Sequence, residues 1–172
     1  MSDGQAKPKH RIFTGESRVS VDSQRRIVFP RAWRLPTDDE NTKFFLMPSR
    51  GGTIRVLTEE QLEEVYEMLE DRSLMDEKEM DAVASIASRI QTITLDGQGR
   101  FQLNQDLMDH AGIRKGALFQ GTIRVGTLRR LDEDAPKQPV GEQEFDSYQK
   151  LEELRRERKE RRELAAAGRG QL

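Results

Sequence analysis

The chain has no cysteine, only two histidines and one tryptophan, and no apolar run near the 18 or more residues that a membrane helix needs. Without cysteine there can be no disulfide, thiolate metal site, haem attachment or cysteine nucleophile, and nothing points to an oxidising compartment. His10 and His110 are isolated, and neither has a second histidine at i+4, so no HExxH zinc site is written. Gly112, Gly116, Gly121 and Gly126 fit neither GxGxxG nor GxxxxGK, the spacings that cradle phosphates. The opening MSDGQAKPKH lacks the apolar stretch of a secretory leader, so neither export nor membrane spanning is expected and a cytoplasmic product is. With these constellations missing, the expectation is a protein that is not an enzyme and takes no cofactor, metal or small-molecule substrate.

What the chain does have is charge. Of its 172 residues 35% are charged and 34% apolar, which suits one domain of ordinary size or two small ones sharing a core. The net charge of -2 conceals an uneven distribution. Residues 1–35 carry eight basic side chains against three acidic ones, a net of +5, whereas residues 36–141 hold 13 basic and 20 acidic, a net of -7. Residues 142–172 hold eight of each. A basic end on an acidic body can orient the chain on a polyanion, and can equally join one copy to the next.

The chain also repeats itself, which bounds the architecture before any residue is given a role. Shifted by 74 residues, Val19-Ser-Val-Asp22-Ser-Gln-Arg-Arg26-Ile-Val-Phe29 lies over Ile93-Thr-Leu-Asp96-Gly-Gln-Gly-Arg100-Phe-Gln-Leu103. With the shift shortened to 69, Gly52-Thr-Ile-Arg-Val56 recurs letter for letter as Gly121-Thr-Ile-Arg-Val125, which implies a linker five residues shorter in the second copy. Each copy reads as strand, turn, strand, short helical turn and two more strands. Asp22 and Asp96 are placed to hold the turns, and Gly97 and Gly99 supply positive φ in the second one. A unit of this size builds no adequate core alone, so the copies are expected to interleave around shared strands.

Between the copies, Glu59 to Arg72 places Leu62, Val65, Tyr66 and Leu69 at helical spacing, with Thr58 and Gln61 available for a capping box. Asp76 to Ile90 places Met80, Val83, Ala84 and Ala87 on one face. Both are expected to pack on the core. Asn104 to Ala111 reads as a short helix stopped by Gly112. After a linker from Asp132 to Gly141, Glu142 to Leu164 reads as a charged solvated helix that frays into Ala-Ala-Ala-Gly-Arg-Gly and lacks a heptad seam.

The repeated Asp-x-x-x-Arg has two compatible readings. In one, Asp22 and Asp96 cap their turns and Arg26 and Arg100 merely pair with them. In the other, the aspartates aim the arginines outward, where a guanidinium meets phosphates or the O6 and N7 of guanine. Arg25 adjoins Arg26, and Arg18, Arg31 and Arg34 add positive charge near the first copy. These residues leave two functions open, nucleic-acid binding and a protein-only assembly module. No aromatic pair marks a strand that stacks unpaired bases, which disfavours RNA.

At these same turns the sequence resembles the MraZ family of tandem SpoVT-AbrB, or swapped-hairpin, proteins. The resemblance rests on Phe13-Thr-Gly15 with Val19 to Pro30, and on Leu95-Asp96-Gly-Gln-Gly-Arg100-Phe-Gln-Leu103 with Leu107 and Ala111-Gly112-Ile113. It covers roughly residues 12 to 131. It implies a transcriptional regulator of the division and cell wall gene cluster, assembled as a closed ring that meets direct repeats in promoter double-stranded DNA. It also implies a nucleoid-associated location, with DNA contacts carried by Arg26 and Arg100. The sequence departs from the family at Arg25, where the family has glycine, at Asn104, which does not match Pro30, and around Val125 to Arg130, where a closing Glu-Ile-Trp is absent. The tail from Glu142 lies outside the family core.

The combined expectation is an α+β protein of two pseudo-symmetric units around a small barrel-like sheet, with flanking helices and a charged C-terminal helix. Its segments are a flexible basic leader (1–10), a first unit (11–57), a helical connection (58–89), a second unit (90–131) and a linker with tail (132–172). Candidate DNA-binding residues are Arg26, Arg25, Arg18, Arg31 and Arg100, and Asp22, Asp96, Gly97 and Gly99 are the candidate turn-positioning residues.

Overall fold

Two tight hairpins pair consecutive strands, and every strand also takes a partner from far along the chain. In the computed structural model, which describes residues 10–70, 76–133 and 139–169, eight strands and four helices give an α+β architecture. The strands are β1 (Glu16–Ser20), β2 (Arg26–Val28), β3 (Phe44–Ser49), β4 (Thr53–Thr58), β5 (Gln91–Ile93), β6 (Arg100–Gln102), β7 (Gly116–Gly121) and β8 (Gly126–Arg130). The helices are α1 (Glu59–Glu70), α2 (Glu77–Ala87), α3 (Gln105–Ala111) and α4 (Glu142–Arg169). The leader expected over 1–10 lies outside the described residues except for His10, as do 134–138 of the linker.

Six strands form one antiparallel sheet in the order β1-β7-β8-β4-β3-β5, and β2 and β6 form a separate antiparallel ribbon. Strands from before and after the helical connection therefore interleave, with β1 on β7, β4 on β8 and β3 on β5. The sheet does not close into the expected barrel. β5 is only three residues long, and its ladder reaches only Phe44 to Leu46, so β5 and β1 stay as two separate edges.

One apolar core lies between the sheet, the ribbon and α3. It is dominated by rings: Phe13, Phe29, Trp33, Phe44, Phe101 and Phe119 are all at least 96% buried. Phe29 sits at their centre, 4.5 Å from Phe44 and 5.9 to 6.4 Å from Trp33, Phe119 and Phe101, mostly edge to face. The Trp33 indole N–H donates to the Thr14 carbonyl at 2.8 Å, which satisfies the only polar atom of that ring. At the core's margin the Arg11 guanidinium makes a two-pronged pair with Asp38, at 2.6 and 2.8 Å. Burial by itself would raise the Asp38 pKa, but the Arg11 bonds and the Leu35 N–H outweigh it and hold the carboxyl below its ordinary value.

The letter-for-letter repeat is not a structural one. Thr53 to Val56 lie within β4, paired with β3 and β8, whereas Thr122 to Val125 form the turn between β7 and β8. There Ile123 takes φ +71°, held by reciprocal backbone hydrogen bonds with Phe13 at 2.7 and 2.9 Å. β4 corresponds in order to β8, so the linker inferred to be five residues shorter is not where the second copy contracts. Residues 29–43 separate β2 from β3 and residues 103–115 separate β6 from β7, 15 against 13.

The helices follow their caps. At α1 the Thr58 N–H donates to Gln61 Oε1 at 3.0 Å and the Gln61 N–H to Thr58 Oγ1 at 3.3 Å, the reciprocal box. α2 is capped by Asp76, which accepts from the Glu79 N–H at 2.9 Å. At α3 the Asn104 side chain accepts from the Leu107 N–H, and Gly112 closes the helix in the left-handed conformation at φ +63°. The apolar faces of α1 and α2 are less covered than expected. Leu62, Val65, Leu69 and Val83 are half-buried, while Tyr66, Met80, Ala84 and Ala87 are exposed, and neither helix buries any residue fully. These helices leave the polar caps satisfied and an apolar groove open beside Phe45 and Met47.

Contacts divide the chain into two units, the first ending at Asp132 and the second beginning at Glu133. The second consists mainly of α4, which continues through Ala165-Ala-Ala167 rather than fraying there, because alanine is the best helix former. No helix among the described residues is long and apolar enough to cross a membrane.

Candidate nucleic-acid interface

Two turns of nearly identical construction meet at the β2–β6 ribbon. In the first, Asp22 Oδ1 accepts from the N–H groups of Gln24 at 2.9 Å and Arg26 at 2.8 Å, and the Asp22 carbonyl accepts from the Arg25 N–H at 2.9 Å. Asp22 Oδ2 then receives Arg26 Nε at 2.7 Å. In the second, Asp96 Oδ1 accepts from Gln98 and Arg100, both at 2.9 Å, its carbonyl accepts from Gly99 at 2.8 Å, and Oδ2 receives Arg100 Nε at 3.0 Å. A short acceptor on a one-carbon stem serves both needs at once: it satisfies the turn's N–H groups and fixes the direction of the arginine.

These bonds favour the charged carboxylate. The Asp22 pKa lies below its ordinary value chiefly because of the Arg26 backbone N–H, then the Arg26 guanidinium. At Asp96 the Arg100 backbone N–H is again the main cause, with the guanidinium assisting against some desolvation.

Register brings the two arginines onto one surface. Arg26 stands opposite Gln102, Ile27 opposite Phe101 and Val28 opposite Arg100. Ile27 and Phe101 are buried, so by strand alternation Arg26, Val28, Arg100 and Gln102 share the outer face. Further bonds tie the ribbon together: Leu103 N–H to the Arg25 carbonyl and Phe29 N–H to the Gly99 carbonyl, each at 2.9 Å. The Gln102 amide donates to the Gln24 carbonyl at 2.9 Å and its own carbonyl accepts from Gln91 at 2.7 Å. Residues 74 positions apart in the sequence thus form one small, braced patch.

The two guanidiniums differ in what they have left to give. Arg100 approaches Asp96 Oδ2 with both Nε, at 3.0 Å, and Nη2, at 2.9 Å, whereas only Nε of Arg26 is engaged, at 2.7 Å. Both Nη groups of Arg26 are without a partner among the described residues. The Arg26 side chain is also the more exposed, 37% against 27%.

The remaining candidates lie elsewhere or differ in state. Arg25 occupies φ +60° at the position where the second turn has Gly99 at φ +73°, and its Nε is buried without a partner. Arg18 is exposed on the edge strand β1, opposite Leu118, and Arg31 is exposed at the start of the 3-10 turn Arg31–Trp33. No hydrogen bond or ion pair among the described residues joins either one to the ribbon. Of the two glycines, only Gly99 uses positive φ. Gly97 does not, which agrees with the serine, Ser23, at its counterpart in the first turn.

Reading the sequence missed Val28 and Gln102. The signal was present: a period of two starting at Arg26 and at Arg100 puts Val28 and Gln102 on the arginine face. Val28 is 50% exposed, an apolar side chain directly across the ribbon from Arg100. Arg34, read from the sequence as positive charge near the first turn, lies against the second one. Its Nη1 packs so closely on Gly99 that a Cβ there would come within 2.7 Å of it.

The chain matches no protein-family model, and no curated protein matches it.

Proposed function

We propose that the chain is a sequence-specific DNA-binding regulator, with the outer face of the β2–β6 ribbon as its reading surface. The observation that carries this reading is the convergence of two aspartate-held arginines on one face. The major groove of duplex DNA admits a two-stranded ribbon, and a pre-aimed guanidinium with free Nη donors suits guanine O6 and N7. The apolar Val28, across the ribbon from Arg100, suits a thymine methyl. Arg26 is the leading contact. Arg100 is secondary, and Arg25, Arg18 and Arg31 are flanking phosphate contacts.

The strand order supports a tandem, pseudo-symmetric pair of swapped-hairpin units of the MraZ type. Exchanging β1 with β5, β3 with β7 and β4 with β8 reads the sheet order backwards. On that reading the protein acts in the cytoplasm on the nucleoid, at direct repeats in the promoter of the division and cell wall gene cluster. The apolar surface that α1 and α2 leave open, including Met80 and Ile86, is area that a second copy would bury, in keeping with a closed homo-oligomeric ring. Several weak ribbon contacts on one ring would then add by multivalency.

The test is selection of duplex DNA from a random library by the full chain at about 150 mM salt, where unspecific phosphate attraction is already reduced. Recovery of spaced repeats, abolished by Arg26→Ala while the chain stays folded and assembled, supports the reading. A folded oligomer that selects no sequence would instead make it a protein-only assembly module.

A further inference from the structure

The ribbon is poorly equipped to attract a polyanion, because Arg26 and Arg100 are each neutralised by a neighbouring aspartate. Helix α4 is the opposite case. Between Arg155 and Arg162 six of eight residues are basic and two acidic. Leu151, Leu154, Arg155, Arg158, Lys159 and Arg162 share one face, and at 3.6 residues per turn Glu153, Glu157 and Glu160 fall on the other side. Every described side chain of the helix is exposed.

Two ordinary explanations do not cover this arrangement. Basic residues favour a helix C-terminus, but that effect fades within the last turn, and Arg155 to Arg162 end seven residues before Arg169. Glutamates four residues ahead support Arg156 and Arg161, at Glu152 and Glu157. Arg158, Lys159 and Arg162 have instead Leu154, Arg155 and Arg158 at that position, and the latter two are like charges that oppose the helix. Among the described residues no ion pair engages Arg155, Arg158 or Arg162, and Lys159 reaches only Glu163 at 3.8 Å. A row of stacked cations about 10 Å long, three of the four without an ion-pair partner among the described residues, calls for anions from outside the helix.

Resting on the DNA-binding reading, we infer that the Arg155, Arg158, Lys159 and Arg162 face of α4 binds the phosphate backbone of duplex DNA without regard to sequence. Arginine outnumbers lysine on it three to one, which suits phosphate oxygens, and the acidic opposite side keeps the helix from wrapping in nucleic acid on all faces. The ribbon would supply selectivity and this helix the electrostatic part of the affinity.

The experiment compares the full chain with an Arg155→Gln, Arg158→Gln, Arg162→Gln variant on a random-sequence duplex, by anisotropy between about 50 and 200 mM salt. The plot of log affinity against log salt is expected to flatten by about 0.9 for each phosphate that is no longer neutralised, so by about 2.7 for three. The matching Arg→Lys triple variant should restore the slope, and circular dichroism should show the helix intact in both. An unchanged slope in the glutamine variant overturns the inference, and so does a change confined to subunit number by sedimentation, which would assign this face to a second copy. Selectivity is read separately. A parent chain that selects no sequence but shows the predicted change in slope defeats the reading of the ribbon and leaves this inference standing.

Discussion

The turns at Asp22 and Asp96 share a hydrogen-bond scaffold but differ at one backbone position, and the difference shows what the scaffold requires. Each aspartate takes two N–H groups on one oxygen and an arginine Nε on the other. Each turn then needs a residue at positive φ, which is Gly99 at no conformational cost in one and Arg25 in the other. An arginine in the left-handed region costs about 1 to 2 kcal/mol, and Arg25 also buries an unpartnered Nε. The first turn thus tolerates strain at a side chain beside Arg26, the proposed leading DNA contact, and such strain is the pattern found where a residue serves a function other than folding.

The largest expected effect separates the arginines. Arg26→Ala should lower affinity for the selected DNA about 10- to 100-fold, the worth of one good two-pronged base contact. Arg100→Ala should cost less, because both Nε and Nη2 of Arg100 are already committed to Asp96. Titration of each variant with labelled duplex decides this, and an equal loss from both would mean that the two turns read DNA alike.

Next come the backbone positions, read as midpoints in urea. Gly99→Ala should destabilise by about 1 to 2 kcal/mol through its φ of +73°, with Arg34 also forced to move. Arg25→Gly should go the other way by about 0.5 to 1 kcal/mol, since relief of strain is partly offset by a looser unfolded chain. A stabilising Gly99→Ala would break the comparison.

Acid should then affect the turns together. Both carboxyls titrate below the ordinary aspartate value, so their contribution to folding is fully present above that value and is lost as pH falls through the lower, folded one. Carboxyl carbon resonances of Asp22 and Asp96 should show depressed midpoints, with the Arg26 and Arg100 amides moving in step. An ordinary midpoint at either aspartate would show that its turn is held by something else.

The smallest effect is expected from Gly97→Ser, which copies Ser23 into the second turn. Gly97 has open space around its missing Cβ and no positive φ, so stability should change by less than about 0.5 kcal/mol. A larger loss in the melting profile would reveal a constraint that the first turn lacks.

Much of this was legible in the chain itself. The two Asp-x-x-x-Arg turns, recognisable because they recur at a shift of 74, the capping box at Thr58 and Gln61 and the stop at Gly112 each act over a few residues, and local chemistry determines them. The pairing of Arg26 with Gln102 and of Val28 with Arg100 was not legible, because register between distant strands is decided by which apolar faces meet in the core. The apolar stripe of α2 was likewise expected to be covered, and only Val83 is half-buried while Met80, Ala84 and Ala87 stay exposed. Periodicity shows that a helix has an apolar face, but not whether its own chain supplies the cover.

The segment Gly-Thr-Ile-Arg-Val marks the boundary between what sequence settles and what tertiary structure decides. At 52–56 its last four residues are part of a strand, with Ile54 and Val56 in the core. At 121–125 the same letters end one strand and turn into the next, with Ile123 at φ +71° and 61% exposed. Five residues carry too little conformational preference to choose between these states. Strand partners on both sides made the first choice, and the backbone of Phe13, bonded to Ile123 and packed against Gly121, made the second.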